Sequence, residues 1–373
     1  MTSAPDSDTI FMRQAIGLAS QAWGQTHPNP LVGALIVEGT EVVAEGWHKG
    51  AGQPHAEVEA FAALGRAPAE GAVLYVTLEP CSTVGRTGAC TNAIIDCGIR
   101  KVVVGAVDPN PAHSGRGLKI LREAGVEVEQ GILEDECNDL NLIFNHWITN
   151  GTPLLAAKMA MTLDGKFAAA SGHSQWVTNE AAREDVMRWR RYFPAIAVGA
   201  NTILKDDPSL TSRLGSEVFC PTRFVFDRHL KTLSAPALPK LYSDEFKKNT
   251  VILCLENAKT DLVEKALGCG VGVWMLPEDD GHIDWSVFRA RCAEAGICGV
   301  YIEAGPTLAT EVIEAAKVDY LFIYKAAKFL SDAAASGIGS NRQTVKMTEA
   351  FELADVQHAI FGSNVLTRGR LLK

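Results

Sequence analysis

Several things are scarce in this 373-residue chain, and each scarcity excludes something. No apolar run approaches the roughly 20 residues a membrane-spanning helix needs. Met1–Thr9 is polar and acidic, without the basic and apolar regions of a secretion signal. The nine cysteines, an odd number, are scattered without the density of a disulfide scaffold, so a reducing cytoplasm is the expected compartment. Positive charge is in deficit: a formal net charge of −9 argues against a general nucleic-acid binder, which must neutralise phosphates. A single phosphorylated metabolite would need only one or two local arginines. There is no internal repeat and no low-complexity tract. No G-x-G-x-x-G follows a strand, so a Rossmann cofactor domain is unsupported.

What is present is the composition of a globular protein, 47% hydrophobic and 21% charged, long enough for two cores. The loop signal Asn150-Gly151-Thr152-Pro153 divides the chain, and we expect domains at 1–148 and 149–373. In the first, periodicity predicts a helix over Ile10–Trp23 and strands at Gly33–Val37 and Val42–Trp47. A helix over Ala56–Leu64, a strand at Val73–Leu78, a helix near Thr91–Asp96 and a strand at Lys101–Val107 follow. Gly117–Ala124 and Val126–Glu129 complete a β/α alternation that implies a sheet flanked by helices. In the second, Leu154–Met161 reads as a strand and Asp164-Gly165 as a turn. Thr178 reads as a helix N-cap, with Glu180 in the first turn and Arg188, Arg190 and Arg191 in the last. Further strands are expected at Ala195–Gly199, Arg223–Phe226, Thr250–Leu255, Gly272–Met275, Gly299–Glu303 and Tyr320–Lys325.

The chemistry is concentrated in Pro54-His55-Ala56-Glu57 and Glu79-Pro80-Cys81…Cys90. One imidazole and two thiolates would hold Zn²⁺ and leave its fourth position open for water. Zinc lowers the pKa of that water towards neutrality, and Glu57 would then shuttle protons without binding the metal. The zinc-deaminase signature is H-x-E followed by P-C-x-x-C. This chain matches it except that eight residues, not two, separate the cysteines. Both halves fall at predicted helix N-termini, which favour thiolate. Singly, such residues are more often buried thiols or surface histidines. A closed structural zinc would need Cys97 or His48 as fourth ligand, and would leave Glu57 without a role.

Beyond this quartet, the chain resembles the bifunctional riboflavin-biosynthesis deaminase–reductases over almost its whole length. Thr26-His27-Pro28-Asn29-Pro30-Leu31-Val32-Gly33 resembles that family's substrate loop. Gly46-Trp47-His48 and Gly52-Gln53-Pro54-His55-Ala56-Glu57 follow. Thr77-Leu78-Glu79-Pro80-Cys81-Ser82 continues through Gly85-Arg86-Thr87 to Cys90, and the longer Cys–Cys loop is the family's own variant. Asp108-Pro109-Asn110-Pro111 with Gly115-Arg116-Gly117 matches its next loop. Two departures occur: Thr83 replaces a usual His, and Gly88-Ala89 a usual Pro-Pro. Neither touches a ligand or Glu57. The resemblance implies a cytidine-deaminase-like three-layer α/β/α domain followed by a dihydrofolate-reductase-like α/β domain. It further implies that Asn29 and His48 contact the pyrimidine, and Arg86 or Asp108 the phosphorylated sugar. For Asn29 and His48 a plain loop or surface role is the competing reading.

The second half resembles the family's reductase through several strings. They are Lys158-Met159-Ala160-Met161-Thr162-Leu163-Asp164-Gly165, Ser174-Gln175-Trp176, Val198-Gly199-Ala200-Asn201-Thr202, Asp206-Asp207-Pro208-Ser209-Leu210-Thr211 and Glu303-Ala304-Gly305-Pro306-Thr307-Leu308. By resemblance Ala160, Trp176, Thr202, Asp206 and the Gly305–Thr307 turn, including Pro306, line NADPH. Ser174, Arg190, Leu210, Arg213 and Glu303 line the substrate. Arg190 and Arg213 suit a phosphate through planar charge-assisted contacts, although Arg190 also suits helix-end charge compensation. Arg228 is a candidate for the cofactor's 2′-phosphate or a solvated loop residue. Asp206 or Glu303 could donate a proton. The implied reaction deaminates an aminopyrimidine and then moves hydride from NADPH to ribose C1′, opening it to ribitol.

The expected enzyme thus uses Zn²⁺ and NADPH on a small phosphorylated pyrimidine, with no nucleic acid or membrane, as a homo-oligomer. Two competing readings are a deaminase of a flipped nucleic-acid base and a metal-stabilised binding protein with a nucleotide-sensing half.

Overall fold

The computed structural model describes residues 7–83, 88–215, 217–339 and 343–372. They divide into two compact units, the first ending at Gly151 and the second beginning at Thr152.

The first unit runs α1 (Ser7–Ala19), β1 (Gly33–Glu38), β2 (Glu41–Trp47), α2 (Ala56–Leu64), β3 (Val73–Leu78), α3 (Cys90–Asp96), β4 (Lys101–Ala106), α4 (Arg116–Glu123) and β5 (Glu127–Gln130). Two helices close it, α5 (Glu134–Leu140) and α6 (Leu142–Asn150). The sheet order is β2-β1-β3-β4-β5. β1 is antiparallel to both neighbours, while β3, β4 and β5 are parallel.

Both faces of this sheet are covered, so its central strands are apolar without a polar face. Ala34, Ile36, Leu74, Val76, Val102 and Val104 point to one side, against Ala56 and Ala60 of α2, Ile94 of α3, and Leu118 and Leu121 of α4. Leu35, Val37, Tyr75 and Val103 point to the other, against Met12, Ala15 and Leu18 of α1 and Cys137 of α5. The result is a three-layer α/β/α arrangement. Gly46 sets how closely α2 lies on β2, because a Cβ there would stand 2.3 Å from the Ala56 carbonyl oxygen. That contact fixes the helix start that carries His55 and Glu57.

In the second unit a nine-stranded sheet has the order Gly272–Leu276, Thr250–Leu255, Thr222–Phe226, Ala195–Gly199, Gly299–Glu303, Leu154–Thr162, Tyr320–Ala326, Asn364–Leu371, Leu353–Phe361. The first seven are mutually parallel, and the last two form an antiparallel hairpin at one edge. One face packs on helices Trp285–Glu294 and Pro306–Glu314 through Phe288, Cys292, Leu308 and Val312.

Three expectations need correction. The first helix ends at Ala19 and continues only as a 3-10 turn over Ser20–Ala22. The helix Glu180–Tyr192 is capped by Asn179, not Thr178: the Asn179 side chain accepts the Ala182 amide at 3.0 Å. Thr178 is instead buried, and its carbonyl accepts Arg183 Nη1 at 2.7 Å. The C-terminal hairpin was not expected at all. Its outer strand has no fully buried residue, so no apolar alternation marks it.

Candidate functional site

In the first unit the chain ends of α2 and α3 converge. His55 is the N-cap of α2, Glu57 lies in its first turn, and Cys90 is the first residue of α3. His55 Nδ1 lies 3.1 Å from Cys90 Sγ and 3.4 Å from Cys81 Sγ. All three ligand atoms fall within 4.8 Å of one another. Donors bound tetrahedrally to zinc are about 3.5–3.8 Å apart, given bonds of roughly 2.0–2.3 Å. The imidazole–thiolate set and its spacing therefore fit zinc. The Cys81 thiol is pulled down to about 4, first by the Cys90 hydrogen bond and then by His55, against burial. Glu57 is buried beside this cluster, and burial pushes its carboxyl up.

Among the described residues no fourth His, Cys, Asp or Glu joins the cluster. His48 is accounted for otherwise. Its Nδ1 faces the Pro54 carbonyl at 3.0 Å and so donates; Nε2 must then accept the Asn29 side-chain amide at 3.2 Å. This is a neutral imidazole, and burial lowers its pKa. Its ring meets that of His55 edge to face at 5.5 Å. Asn29, His48 and His55 are thus brought together. Asp108 lies near enough to Cys81 for their charges to interact, and burial raises its carboxyl. Arg86 lies outside the described residues.

Glu79, to which sequence reasoning gave no role, organises the loop around Asp108. Buried, it accepts the backbone amides of Asp108, Gly115 and Gly117 at 3.1, 2.9 and 2.8 Å. Gly117 is the close approach in this loop: a Cβ would stand 2.2 Å from the Pro80 carbonyl oxygen, one residue before Cys81. A carboxylate ending an apolar strand was the available signal.

In the second unit a cavity of about 680 Å³ opens at the C-terminal ends of the parallel strands. Ala160, Ser174, Trp176, Arg190, Thr202 and Asp206 line it, as do Arg228, Glu303, Gly305, Pro306 and Thr307. Arg190 and Glu303 form a two-bonded ion pair, and Arg190 Nη1 also donates to the Thr211 carbonyl at 3.0 Å. Burial raises the Glu303 carboxyl, but Arg190 and Lys158 outweigh it and hold it at about 2. Arg228 donates to the Gly281 carbonyl. Two expected substrate residues do not reach the cavity lining. Leu210 is buried in the core with Ile196, Val198 and Ile203, and Arg213 is exposed on the short strand Ser212–Leu214.

Lys158 is a residue to which the sequence motifs assign no function. It lines the cavity next to Glu303, and burial lowers its amine pKa despite that carboxylate. Its signal was a lone charge inside Leu154-Leu155-Ala156-Ala157-Lys158-Met159-Ala160-Met161, an otherwise apolar strand.

A zinc-type deaminase cradle and a cofactor-sized cavity on a parallel sheet define a two-domain enzyme that joins hydrolytic and redox chemistry. Residues 5–106 match the family model "Cytidine and deoxycytidylate deaminase zinc-binding region", and residues 153–366 match "RibD C-terminal domain". The riboflavin biosynthesis protein RibD of Synechocystis sp. is 39% identical over 368 residues, 98% of this chain and 96% of that protein. RibD of Escherichia coli is 37% identical over 360 residues, 94% of this chain and 96% of that protein. Among solved structures, the diaminohydroxyphosphoribosylaminopyrimidine deaminase/5-amino-6-(5-phosphoribosylamino)uracil reductase of Thermotoga maritima matches at 32% identity with a TM-score of 0.79, covering 98% of this chain and 99% of that one. RibD of Acinetobacter baumannii matches with a TM-score of 0.76 at 32% identity, covering 98% and 99%.

The chain belongs to the family of bifunctional riboflavin-biosynthesis deaminase–reductases. Its first unit is cytidine-deaminase-like and its second is the family's dihydrofolate-reductase-like domain. It is an enzyme of two activities, with Zn²⁺ and NADPH as cofactors.

Proposed function

We propose that the chain deaminates 2,5-diamino-6-ribosylamino-4(3H)-pyrimidinone 5′-phosphate and then reduces the ribosyl group of the product to ribityl. We assign the first step to residues 1–148 and the second to 149–373. The observation that carries the reading is the convergence of His55, Cys81 and Cys90 beside the buried Glu57.

His55, Cys81 and Cys90 would hold Zn²⁺, which when bound supplies the Lewis acidity that makes water a nucleophile near neutral pH. Glu57 takes the proton from the attacking water and delivers it to the departing ring nitrogen substituent, which leaves as ammonia. Its enclosure favours this double duty, because burial raises a carboxyl towards the pH at which it exchanges protons readily. Asn29, oriented by the neutral His48, presents amide hydrogen-bonding groups to the pyrimidine edge. Asp108 and Arg86 are assigned to the phosphoribosyl side.

In the second unit NADPH would supply hydride to C1′ of the sugar. Ala160, Trp176, Thr202, Asp206 and the Gly305–Thr307 turn are assigned to it. The helix beginning at Pro306 directs its N-terminal amides toward the cavity rim, an environment that suits a pyrophosphate. Ser174, Arg190 and Glu303 are assigned to substrate, with Glu303 as a proton-transfer candidate alongside Asp206. Leu210 and Arg213, expected to line the substrate, lie outside this cavity lining and receive no substrate contact in the proposal. Arg228 remains a candidate for the 2′-phosphate.

No helix among the described residues is long and apolar enough to cross a membrane, and we propose a cytoplasmic enzyme that binds no nucleic acid. We also propose a homo-oligomer; the edge strand Leu353–Phe361 leaves Val356 and Ile360 exposed, which supports a partner at that edge. Light scattering tests the latter. The activity is tested by incubating the purified protein with the substrate and NADPH and following mass. Exchange of one amine for oxygen, followed by gain of two hydrogens, is expected; an unchanged substrate with zinc present overturns the reading.

A further inference from the structure

Below the cavity, one face of the sheet bears aromatic side chains to which no substrate or cofactor role falls. Lys158 stands opposite Glu303 on one neighbouring strand and Phe322 on the other. Its side chain therefore emerges on the same face as Tyr324, two residues beyond Phe322. The Lys158 ammonium lies over the Tyr324 ring, 5.9 Å from its centroid, within cation–π range. Tyr324 is fully buried, and its hydroxyl donates to Asp185 Oδ2 at 2.6 Å. Asp185 sits on helix Glu180–Tyr192, the helix that also supplies Arg190. Lys158 lines the cavity; Tyr324 and Asp185 do not.

We propose that Tyr324, clamped by Asp185, is a positioning residue for the reductase, holding the Lys158 ammonium charged at the cavity floor beside Glu303. The proposal rests on the second unit's reductase reading given above. Its physical basis is a charge imbalance. Glu303 is already neutralised by its two bonds to Arg190, and Arg190 itself repels Lys158. Burial further disfavours the ammonium. Among the described residues the Lys158 ammonium makes no hydrogen bond, so beside the Glu303 charge it is the negative face of the phenol ring that holds it. An aromatic face attracts the cation without occupying its N–H groups, which stay free to donate into the cavity. A second carboxylate would instead compete for Arg190.

The clamp explains why a tyrosine stands there. Its far end is fixed on the helix, so the ring cannot swing away from the amine. The groups that act on Lys158 are Glu303 on one strand, Arg190 on the helix and Tyr324 on the other strand, and Tyr324 in turn meets Asp185 and Tyr301. Tyr324 makes no bond to Arg190 or Glu303, so it can be changed without touching that pair.

The test is the pH profile of NADPH oxidation by the full chain supplied with the deaminated intermediate. In the wild type, loss of the Lys158 proton sets a basic limb. Tyr324→Leu is expected to move that limb down by roughly 0.5–1 pH unit and to lower kcat about tenfold, with KM for NADPH unchanged. Tyr324→Phe keeps the ring and loses the clamp, so its limb should fall between the two. Ammonia release by the first unit serves as the control and should not change. A folded Tyr324→Leu variant with an unmoved limb overturns the proposal. If that variant does not fold, Tyr324→Phe decides alone, and an unmoved limb there overturns the clamp. A wild type that never oxidises NADPH with this intermediate refutes the reductase reading instead.

Discussion

Arg190 and Glu303 meet side-on, Nε to Oε1 at 2.6 Å and Nη2 to Oε2 at 3.0 Å, with their side chains only 12% and 15% exposed. Such a pair makes the reductase unit acid-sensitive. Glu303 is lowered from 4.5 to about 2, so the stabilisation is complete above pH 4.5 and is lost as pH falls through 2. The shift corresponds to about 3 kcal/mol. Urea denaturation at pH 5.5 and pH 3 should show this dependence in the wild type and a weaker one in Glu303→Gln. Equal dependences would mean that Glu303 is not the group responsible.

Glu57→Gln should lower deamination by at least about a hundredfold, because the amide can neither take nor return a proton. Zinc content should remain at wild-type level, since Glu57 is outside the ligand cluster. Reduction of the deaminated intermediate should be unaffected. Paired assays of ammonia release and NADPH oxidation check both halves; loss of both activities in a folded variant would contradict separate sites.

Removing the metal should separate the activities in the same way. A chelator is expected to abolish ammonia release and leave NADPH oxidation intact, with added Zn²⁺ restoring the first. Cys90→Ser should need far more zinc for the same restoration, because a hydroxyl ligates zinc poorly beside one thiolate and one imidazole. The readout is bound zinc by atomic emission alongside activity.

Glu79→Ala removes three carboxylate–amide hydrogen bonds at once and leaves buried N–H groups unpaired. A loss of about 3 kcal/mol from the first unit is expected. Because the loop carrying Asp108 and Gly117 packs on Pro80, KM for the deaminase substrate should rise as well. Thermal unfolding and steady-state kinetics report the two effects. An unchanged KM would show that the loop does not depend on Glu79.

Much of this architecture was legible in the chain. β3 and the helix start at Ala56 fall where the apolar runs and the His-Ala-Glu string put them, because a strand buried on both faces must be apolar throughout. The helices over Glu134–Asn150 were not read. Glu134–Leu140 buries only Cys137 and Leu140, and Leu142–Asn150 only Ile143, so neither has a long apolar stripe. The edge strand Leu353–Phe361 was missed for a related reason: it is held by backbone pairing with Asn364–Leu371. Capping also went astray by one residue, since Thr178 and Asn179 are both good caps and only the actual bond to the Ala182 amide separates them.

By itself the amino-acid order determined which residue types are offered, His55, Cys81 and Cys90 as a candidate ligand set and Glu57 as a candidate acid–base group, because these are properties of side chains and short spacings. Only the tertiary structure decided that His48 spends both ring nitrogens on Asn29 and Pro54 and so is no fourth ligand. It likewise put Arg190 against Glu303 across 113 positions of chain, and Leu210 in the core away from the cavity lining. Lys158 over Tyr324 and its tether to Asp185 belong to the same class of fact. Charge pairing, hydrogen-bond direction and burial depend on which strands and helices meet, and contacts between residues so far apart in sequence leave no local pattern.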